Sequence, residues 1–396
     1  MVDKPIHIVF AGGGTAGHLF PGIAVAQQIR SLISTARITF AGTGKDFERK
    51  FVHRAGFDYL ALRCRPMSYR PKEAIRFVVQ NTAGWIAAKR FVSECSVNAV
   101  VGLGGYASVP MGLAAKSQKL PLVLLEQNAV PGKATRWLAR WADVVCTSFA
   151  QTKSQIRTSG VVRLTGNPIR AEFDSVAKKF AVKPHKNDAA FCDFTDQTKP
   201  KSVTGKKSLV ILGGSAGSGQ LNDVVPKALQ AVKSKLGDWD IVHQSGEEGV
   251  GTTRQIYRKL GVAVRVVPFI DNMPKTLSNA GFTISRAGGT TLAELATAGV
   301  PSLLIPYPHA TDDHQRKNAD HFATGGGCLV LDDRELDGQL SDVLSRAIDT
   351  LLTSSEKRRH MSLAIQRQAF PNSATEVATI VEERVKSRRR QLTEAA

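Results

Sequence analysis

Three glycine-rich turns hold the residues with the most readable chemistry. They are Gly12-Gly13-Gly14-Thr15-Ala16-Gly17-His18, Gly102-Leu103-Gly104-Gly105-Tyr106 and Gly213-Gly214-Ser215-Ala216-Gly217. Each follows a short apolar run and precedes a helical pattern. Glycine at such a turn lets the backbone approach a ligand and take a positive φ. The N–H groups and dipole of the next helix then attract a phosphate. Tight strand-to-helix turns also need glycine for packing alone, so one loop is weak evidence. Three loops, two of them after the first strand of a half, point to a phosphorylated ligand.

Near-misses to standard motifs narrow that ligand. Gly12-x-Gly14-x-x-Gly17 matches a dinucleotide fingerprint, but the second strand ends Phe40-Ala41-Gly42 without the expected acidic residue. At the lysine position of a nucleotide phosphate loop stand His18 in the first turn and Gln220 in the third. NAD and ATP chemistry are both disfavoured. Gly213-x-Ser215-x-Gly217 has the form of a nucleophile elbow, with Asp271 and His309 or His314 following in hydrolase order. That reading leaves the other two loops unexplained.

The elements that must position these turns alternate along the chain. Strands are expected at Ile6–Phe10, Ile38–Ala41, Ala99–Val101, Leu122–Leu125, Val144–Cys146 and Val161–Leu164 in the first half. In the second half they fall at Leu209–Leu212, Ile241–His243, Val264–Val267, Phe282–Ile284 and Ser302–Ile305. Helical patterns such as Gly22–Ser34 and Leu221–Leu236 lie between them. This rhythm implies an α/β fold: two Rossmann-like, doubly wound parallel-sheet domains facing a cleft. A boundary near Gly166-Asn167-Pro168 gives domains at 1–168 and 169–371. Residues 183–207 are polar and aperiodic and read as a flexible insertion. Residues 372–390 read as a last helix ending in Arg388-Arg389-Arg390, either a solvated tail or a lipid contact.

Lys and Arg number 53 against 34 Asp and Glu, a formal charge of +19 that favours anionic partners. Aromatic residues are only 7%, a thin supply for stacking single-stranded bases, and no nucleic-acid partner is expected. The five cysteines are dispersed and form no CxxC, which fits a reducing compartment. Nothing at the start reads as a signal peptide. The longest uncharged stretch, Cys95–Ala115, is broken by Gly102, Gly104, Gly105, Pro110 and Gly112. A soluble chain without a transmembrane helix is expected.

A family resemblance enters at Ala11–Gly22 and continues through GLGGYASVP (102–110), LEQNAVPG (125–132), TGNPIR (165–170) and GGSAGSGQLN (213–222). It is supported further by FIDNM (269–273), SRAGGTTLAELATAGVP (285–301) and PYPHATDDHQRKNA (306–319). In this order the segments resemble the bacterial MurG family, the lipid II synthases. The resemblance implies a GT-B fold whose last helix crosses back to the first domain. It also implies the activity: transfer of N-acetylglucosamine from UDP-N-acetylglucosamine to undecaprenyl-pyrophosphoryl-muramoyl-pentapeptide (lipid I) in peptidoglycan synthesis. The expected location is peripheral, on the cytoplasmic face of the bacterial inner membrane. Two alternatives are another GT-B UDP-sugar enzyme, such as a diacylglycerol sugar transferase or an epimerase, and a non-enzymatic binder of anionic polymers.

The resemblance also implies roles. Thr15, Ala16 and Gly17 would line the cleft beside sugar and diphosphate, and Asn128 would touch the donor sugar. Arg170 and Ser215 would serve the nucleotide and its phosphates, and Ile270 would offer its backbone to the uracil. Gly289, Thr290, Thr291, Leu292 and Ala293 would wrap diphosphate and ribose. Glu294 would accept from the ribose hydroxyls, and Gln315 would bind the sugar hydroxyls. Some family members have Gln at the position of His314, which leaves its role open. Read by itself, Glu294 is also a plausible dipole or capping carboxylate. No cofactor and no metal are expected. At Asp312 and Asp313, near His309 and His314, a paired-acid metal site is conceivable, but loop dipoles with Arg170 can carry the diphosphate charge without one.

An inverting transfer needs a base on the acceptor hydroxyl and stabilisation of the departing UDP. His18 is the candidate catalytic base, because a helix start disfavours the imidazolium and leaves neutral imidazole available. A phosphate or loop hydrogen bond is the other reading of His18, and Glu126 is a second candidate base. Finally, Arg63–Phe91 combines Arg63, Arg65, Arg70, Lys72, Arg76, Lys89 and Arg90 with Ile75, Val78, Val79, Trp85 and Ile86. This reads as a contact with an anionic membrane surface, or as an ordinary helix facing the core.

Overall fold

The computed structural model describes residues 5–67, 70–173, 176, 208–336 and 338–394, so the expected insertion at 183–207 lies outside the described residues. The chain divides into two compact units. Met1–Ala171, Gly288–Ala293 and Phe370–Ala396 form one; Glu172–Ala287 and Glu294–Ala369 form the other.

The first unit holds a seven-stranded parallel sheet: β1 His7–Ala11, β2 Arg37–Gly42, β3 Asp58–Ala61, β4 Ala99–Gly102, β5 Leu122–Glu126, β6 Val144–Thr147 and β7 Val161–Leu164. Their spatial order is β3-β2-β1-β4-β5-β6-β7. The second unit holds β8 Ser208–Leu212, β9 Asp240–Gln244, β10 Arg265–Val267, β11 Phe282–Ser285, β12 Ser302–Leu304 and β13 Cys328–Val330. They lie in the order β10-β9-β8-β11-β12-β13, again all parallel. The strand order reverses between β1 and β4 in one sheet and between β8 and β11 in the other. Open parallel sheets bind ligands beyond the carboxyl ends of the strands at such a reversal. The three glycine-rich turns leave β1, β4 and β8, and Gly288-Gly289 follow β11, which explains why they fall where they do in the sequence.

All eleven strands expected from the pattern are present, and two more join them. Asp58–Ala61 is an edge strand with no β-branched residue, and Cys328–Val330 is three residues long behind Gly325-Gly326-Gly327. Neither carries the β-branched alternation that betrays a strand. The first helix runs Ala16–Leu32 and so begins six residues before the predicted Gly22. It contains Pro21, whose missing N–H leaves the Gly17 carbonyl outside the helical ladder. The Thr290 hydroxyl, from the Gly288–Ala293 segment of the same unit, donates to that carbonyl at 2.7 Å.

The core of the first unit is built on Ile8, Phe10, Leu19, Ile29 and Phe40, with the Phe10 and Phe40 rings stacked 5.1 Å apart. The last helix, Ser373–Glu394, packs on Ala16–Leu32 and buries Val377, Ile380, Val381 and Val385 in that core. Each such side chain is worth up to about 1.5–3 kcal/mol, which fixes the chain end on the first unit. The second core gathers Leu209, Ile211, Leu221, Phe282, Ile284, Leu303, Leu344 and Ile348. Among the described residues no helix is long and apolar enough to cross a membrane.

Candidate functional site

In the first unit, the register of β1 with β4 sets Ala11 beside Gly102 and brings the first two glycine turns together. A Cβ on Gly12 would stand 2.7 Å from Leu103 Cβ, and one on Gly105 would stand 3.3 Å from the Gly13 carbonyl oxygen. His18, on the first turn of its helix, lays its imidazole against the second loop. The place of a Gly104 Cβ is only 3.2 Å from His18 Cδ2. The Thr15 hydroxyl sits 3.1 Å from His18 Nδ1. Thr15, Ala16, Gly17 and His18 are thus one cluster at the carboxyl end of β1.

A residue absent from the sequence motifs holds this loop from beneath. Glu48 is fully buried and accepts the Gly14 N–H at 2.6 Å, the Thr43 N–H at 2.9 Å and the Tyr59 hydroxyl. Tyr59 in turn accepts the Gly44 N–H at 2.8 Å. Burial, followed by the Glu48 carboxylate, pushes the Tyr59 phenol well above its ordinary range. Gly13 has φ +152° and its missing Cβ makes room for Glu48, since a Cβ there would lie 2.4 Å from Oε1. A carboxylate does therefore reach this Rossmann-like loop, but it comes from the helix Asp46–Arg54 and is spent on backbone amides.

Asn128 follows β5, and Glu126 shapes the turn that presents it. Glu126 accepts the Asn128 N–H at 3.1 Å and the Gly132 N–H at 3.0 Å, and burial raises its pKa. With its oxygens engaged by this turn, Glu126 orders Asn128. Gly289, Thr290, Thr291, Leu292 and Ala293 open the helix Gly289–Ala298. Asn167 donates to Thr290 Oγ1 at 3.1 Å. Leu292 is fully buried and serves the packing of this helix start. Arg170 lies over the Phe20 ring at 4.9 Å.

The second unit carries Ser215, Ile270, Glu294 and Gln315. Ser215 is exposed on the third glycine turn, beyond β8. Gln244, at the end of β9, ties that turn to Ile270: it donates to the Gly214 carbonyl at 2.7 Å and accepts the Ile270 N–H at 3.1 Å. The Ile270 N–H is therefore held by Gln244. Arg286, just after β11, is buried and donates to Ser218 Oγ at 3.1 and 2.8 Å and to the carbonyls of Ile305 and Pro306 at 3.0 and 3.1 Å. Burial pushes its pKa down to about 10, still a cation at neutral pH. Ser218 caps the helix Gly219–Ala231. Arg286 thus puts a positive charge at an N-terminus already suited to phosphate. Glu294 is buried, and Gln315 Oε1 accepts the Tyr307 N–H at 3.0 Å.

His314 Nδ1 lies 2.8 Å from the Thr311 carbonyl, so the side chain left open in the sequence closes its own turn. Asp313 pairs with Arg334 at 3.1 Å. Among the described residues no group of three or more His, Cys, Asp or Glu could hold a metal ion.

The long helix Pro71–Glu94 carries a separate surface. Ile75, Val78, Val79 and Ile86 are each about 59–66% exposed and recur at helical spacing along one face. Trp85, expected on that face, packs instead at the edge of the core formed by Val9, Val92 and Met111, because it stands about a quarter turn round the helix from the exposed face. Glu73 pairs with Arg65 and Arg76, and Glu94 pairs with Arg90, so part of the basic charge is neutralised locally.

Comparison with known proteins supplies a context for this geometry. Residues 8–147 match the glycosyltransferase family 28 N-terminal domain, and residues 208–377 match the glycosyltransferase family 28 C-terminal domain. The chain is 33% identical to the UDP-N-acetylglucosamine–N-acetylmuramyl-(pentapeptide) pyrophosphoryl-undecaprenol N-acetylglucosamine transferase of Geobacter sulfurreducens, over 97% of this chain and 99% of that one. Among solved structures it is similar to Acinetobacter baumannii MurG, with 27% identity and a TM-score of 0.70 over 96% of this chain and 100% of that one. A putative UDP-N-acetylglucosamine 2-epimerase from Listeria monocytogenes shares the fold, with a TM-score of 0.66 over 97% of this chain and 98% of that one, at 14% identity.

Proposed function

The chain belongs to the family of UDP-N-acetylglucosamine–N-acetylmuramyl-(pentapeptide) pyrophosphoryl-undecaprenol N-acetylglucosamine transferases, and on that premise we propose how its residues run the transfer. The enzyme moves N-acetylglucosamine from UDP-N-acetylglucosamine to the lipid-linked muramoyl acceptor, the step from lipid I to lipid II. The acceptor C4 hydroxyl attacks the anomeric carbon, the bond to the UDP oxygen breaks, and configuration inverts.

His18 takes the hydroxyl proton. The observation that carries this is the Thr15 hydroxyl at 3.1 Å from His18 Nδ1. With Nδ1–H donating to Thr15, the lone pair lies on Nε2 and can accept the proton. The departing UDP needs its growing negative charge met by fixed donors. The helix start behind Ser218, with Arg286 beside it, and the first turn Gly289–Ala293 supply them. Glu294 accepts from the ribose hydroxyls, the Ile270 carbonyl faces the uracil, Ser215 and Arg170 serve the phosphates, and Asn128 and Gln315 hold the sugar. No step in this scheme calls on a metal.

The acceptor carries a long polyprenyl tail and stays in its bilayer, so the enzyme must come to the surface. The exposed face Ile75–Val78–Val79–Ile86, flanked by Lys72 and Lys89, is the contact. On this reading the enzyme works peripherally, on the cytoplasmic face of the inner membrane.

A radiolabel assay tests the reading. Purified chain with labelled UDP-N-acetylglucosamine and lipid I should yield labelled lipid II and UDP, and His18→Ala should lose most of that turnover. Labelling of diacylglycerol in place of lipid I, or epimerised UDP-sugar as the sole product, would reassign the enzyme within its fold.

A further inference from the structure

Two consecutive non-glycine residues, Asp312 and Asp313, have φ +53° immediately before the helix His314–Thr324 that carries Gln315. An L-residue pays for this left-handed conformation, and aspartate only somewhat less than others. Such a turn persists where surrounding contacts over-determine it. Here the contacts come from the segment Asp332–Glu335, which belongs to none of the motifs of the sequence. Asp332 has a side chain only 2% exposed and accepts from both Arg316, at 2.9 Å, and Arg334. The Arg334 fork, and then Arg316, hold the Asp332 carboxyl far below the ordinary carboxylate range. Arg334 Nη2, anchored in this way, reaches across to Asp313 Oδ1 at 3.1 Å. Arg316, two residues beyond His314, is tied at the same time to Asp332, Asp320 and Glu335. The next residue of the segment, Asp333, accepts from Gln220 at 2.7 Å, at the start of the helix behind the third glycine turn.

We infer that Asp332 and Arg334 are positioning residues for the donor sugar: through Asp313 they hold the left-handed turn that presents Gln315. This rests on the reading of Gln315 as a sugar ligand. On this account the Asp313 carboxylate touches neither substrate nor metal. It is the handle by which Arg334 grips a strained turn, and its contribution is conformational.

That distinction gives the experiment. Asp313→Ala and Asp313→Gly both remove the carboxylate, but only alanine keeps the strain, because glycine takes φ +53° without a Cβ penalty. In the full-length enzyme Asp313→Ala should raise the KM for UDP-N-acetylglucosamine about fivefold, the factor that matches about 1 kcal/mol. Asp313→Gly should keep the wild-type KM. Affinity for UDP alone, which lacks the sugar, should be unchanged in both when measured by calorimetry. Arg334→Gln should raise the same KM in the wild-type background and add nothing in the Asp313→Gly background. Equal impairment of the alanine and glycine variants overturns the inference and makes the carboxylate a direct ligand. A parallel fall in UDP affinity overturns it too, as a general loss of structure. Gln315→Ala is the separate control: an unchanged KM there removes the Gln315 reading itself, whereas an impaired Gln315→Ala beside an unaffected Asp313→Ala removes only the role given to Arg334.

Discussion

The Thr15 hydroxyl and His18 Nδ1 face each other at 3.1 Å, three residues apart on the first turn of one helix. The Thr15 hydroxyl can accept from Nδ1–H, the tautomer that leaves the lone pair on Nε2. His18→Ala should lower kcat about a hundred- to ten-thousand-fold, the range for loss of a general base, and leave UDP affinity intact. Thr15→Val should act through the same ring, so the double variant should be no slower than His18→Ala alone. Steady-state kinetics of the three variants decide this. If only KM rises in His18→Ala, the imidazole is a binding group.

Glu294 is buried in the second unit and is assigned to the ribose. Replacing it with alanine should weaken UDP binding by about 1–3 kcal/mol, the scale of a lost hydrogen bond to a charged group. Calorimetric titration with UDP reads this directly. Affinity equal to wild type would return Glu294 to a purely helix-capping role.

Val78 and Val79 lie side by side on the exposed face of Pro71–Glu94. Changing both to aspartate should remove about 3 kcal/mol of apolar transfer and abolish sedimentation with anionic vesicles. UDP affinity should not move. Vesicle binding that persists would shift the contact to the basic run Arg388–Arg390.

His243 in β9 is buried against Tyr257, whose hydroxyl is 2.8 Å from Nδ1, and burial pushes its pKa down to about 3. The unfolded chain therefore takes up a proton near pH 6.5 that the folded unit refuses until about pH 3. Stability from this group is complete above pH 6.5 and drains away as pH falls, at about 1.4 kcal/mol per pH unit. Urea midpoints measured between pH 7 and 5 should show this slope, and His243→Asn should flatten it. An unchanged slope in the variant would assign the acid sensitivity to other groups.

The sequence pattern was informative wherever a feature is local. All eleven strands written from apolar runs exist, because parallel strands buried on both faces advertise themselves as short β-branched stretches. The start of the first helix was misplaced because Gly17 and Pro21 are ordinarily helix breakers. Pro21 is tolerated there, with the carbonyl it leaves unpaired taken by Thr290, a partner 273 residues away. The same limit governs the site. The glycine turns and the EQN and SRAGG segments stand out by composition. Glu48 reaches Gly14 across 34 residues and Arg286 reaches Ser218 across 68, and neither carries a local signature of that task. Asp332 and Arg334 look like an ordinary charged surface turn until the buried carboxylate and the two left-handed aspartates appear beside them.

The buried Glu48 has a thermodynamic consequence for the loop it holds. A glycine-rich loop is normally the part of a site with most conformational freedom to lose, and a ligand that orders it gives up affinity in doing so. Here the Gly14 amide is already held by Glu48, and Gly12 and Gly13 are wedged against Leu103 and that same carboxylate. The disorder was surrendered when the chain folded. A ligand arriving at this loop meets a preformed surface, so the energy of its contacts stays available for orienting that ligand rather than for freezing the backbone.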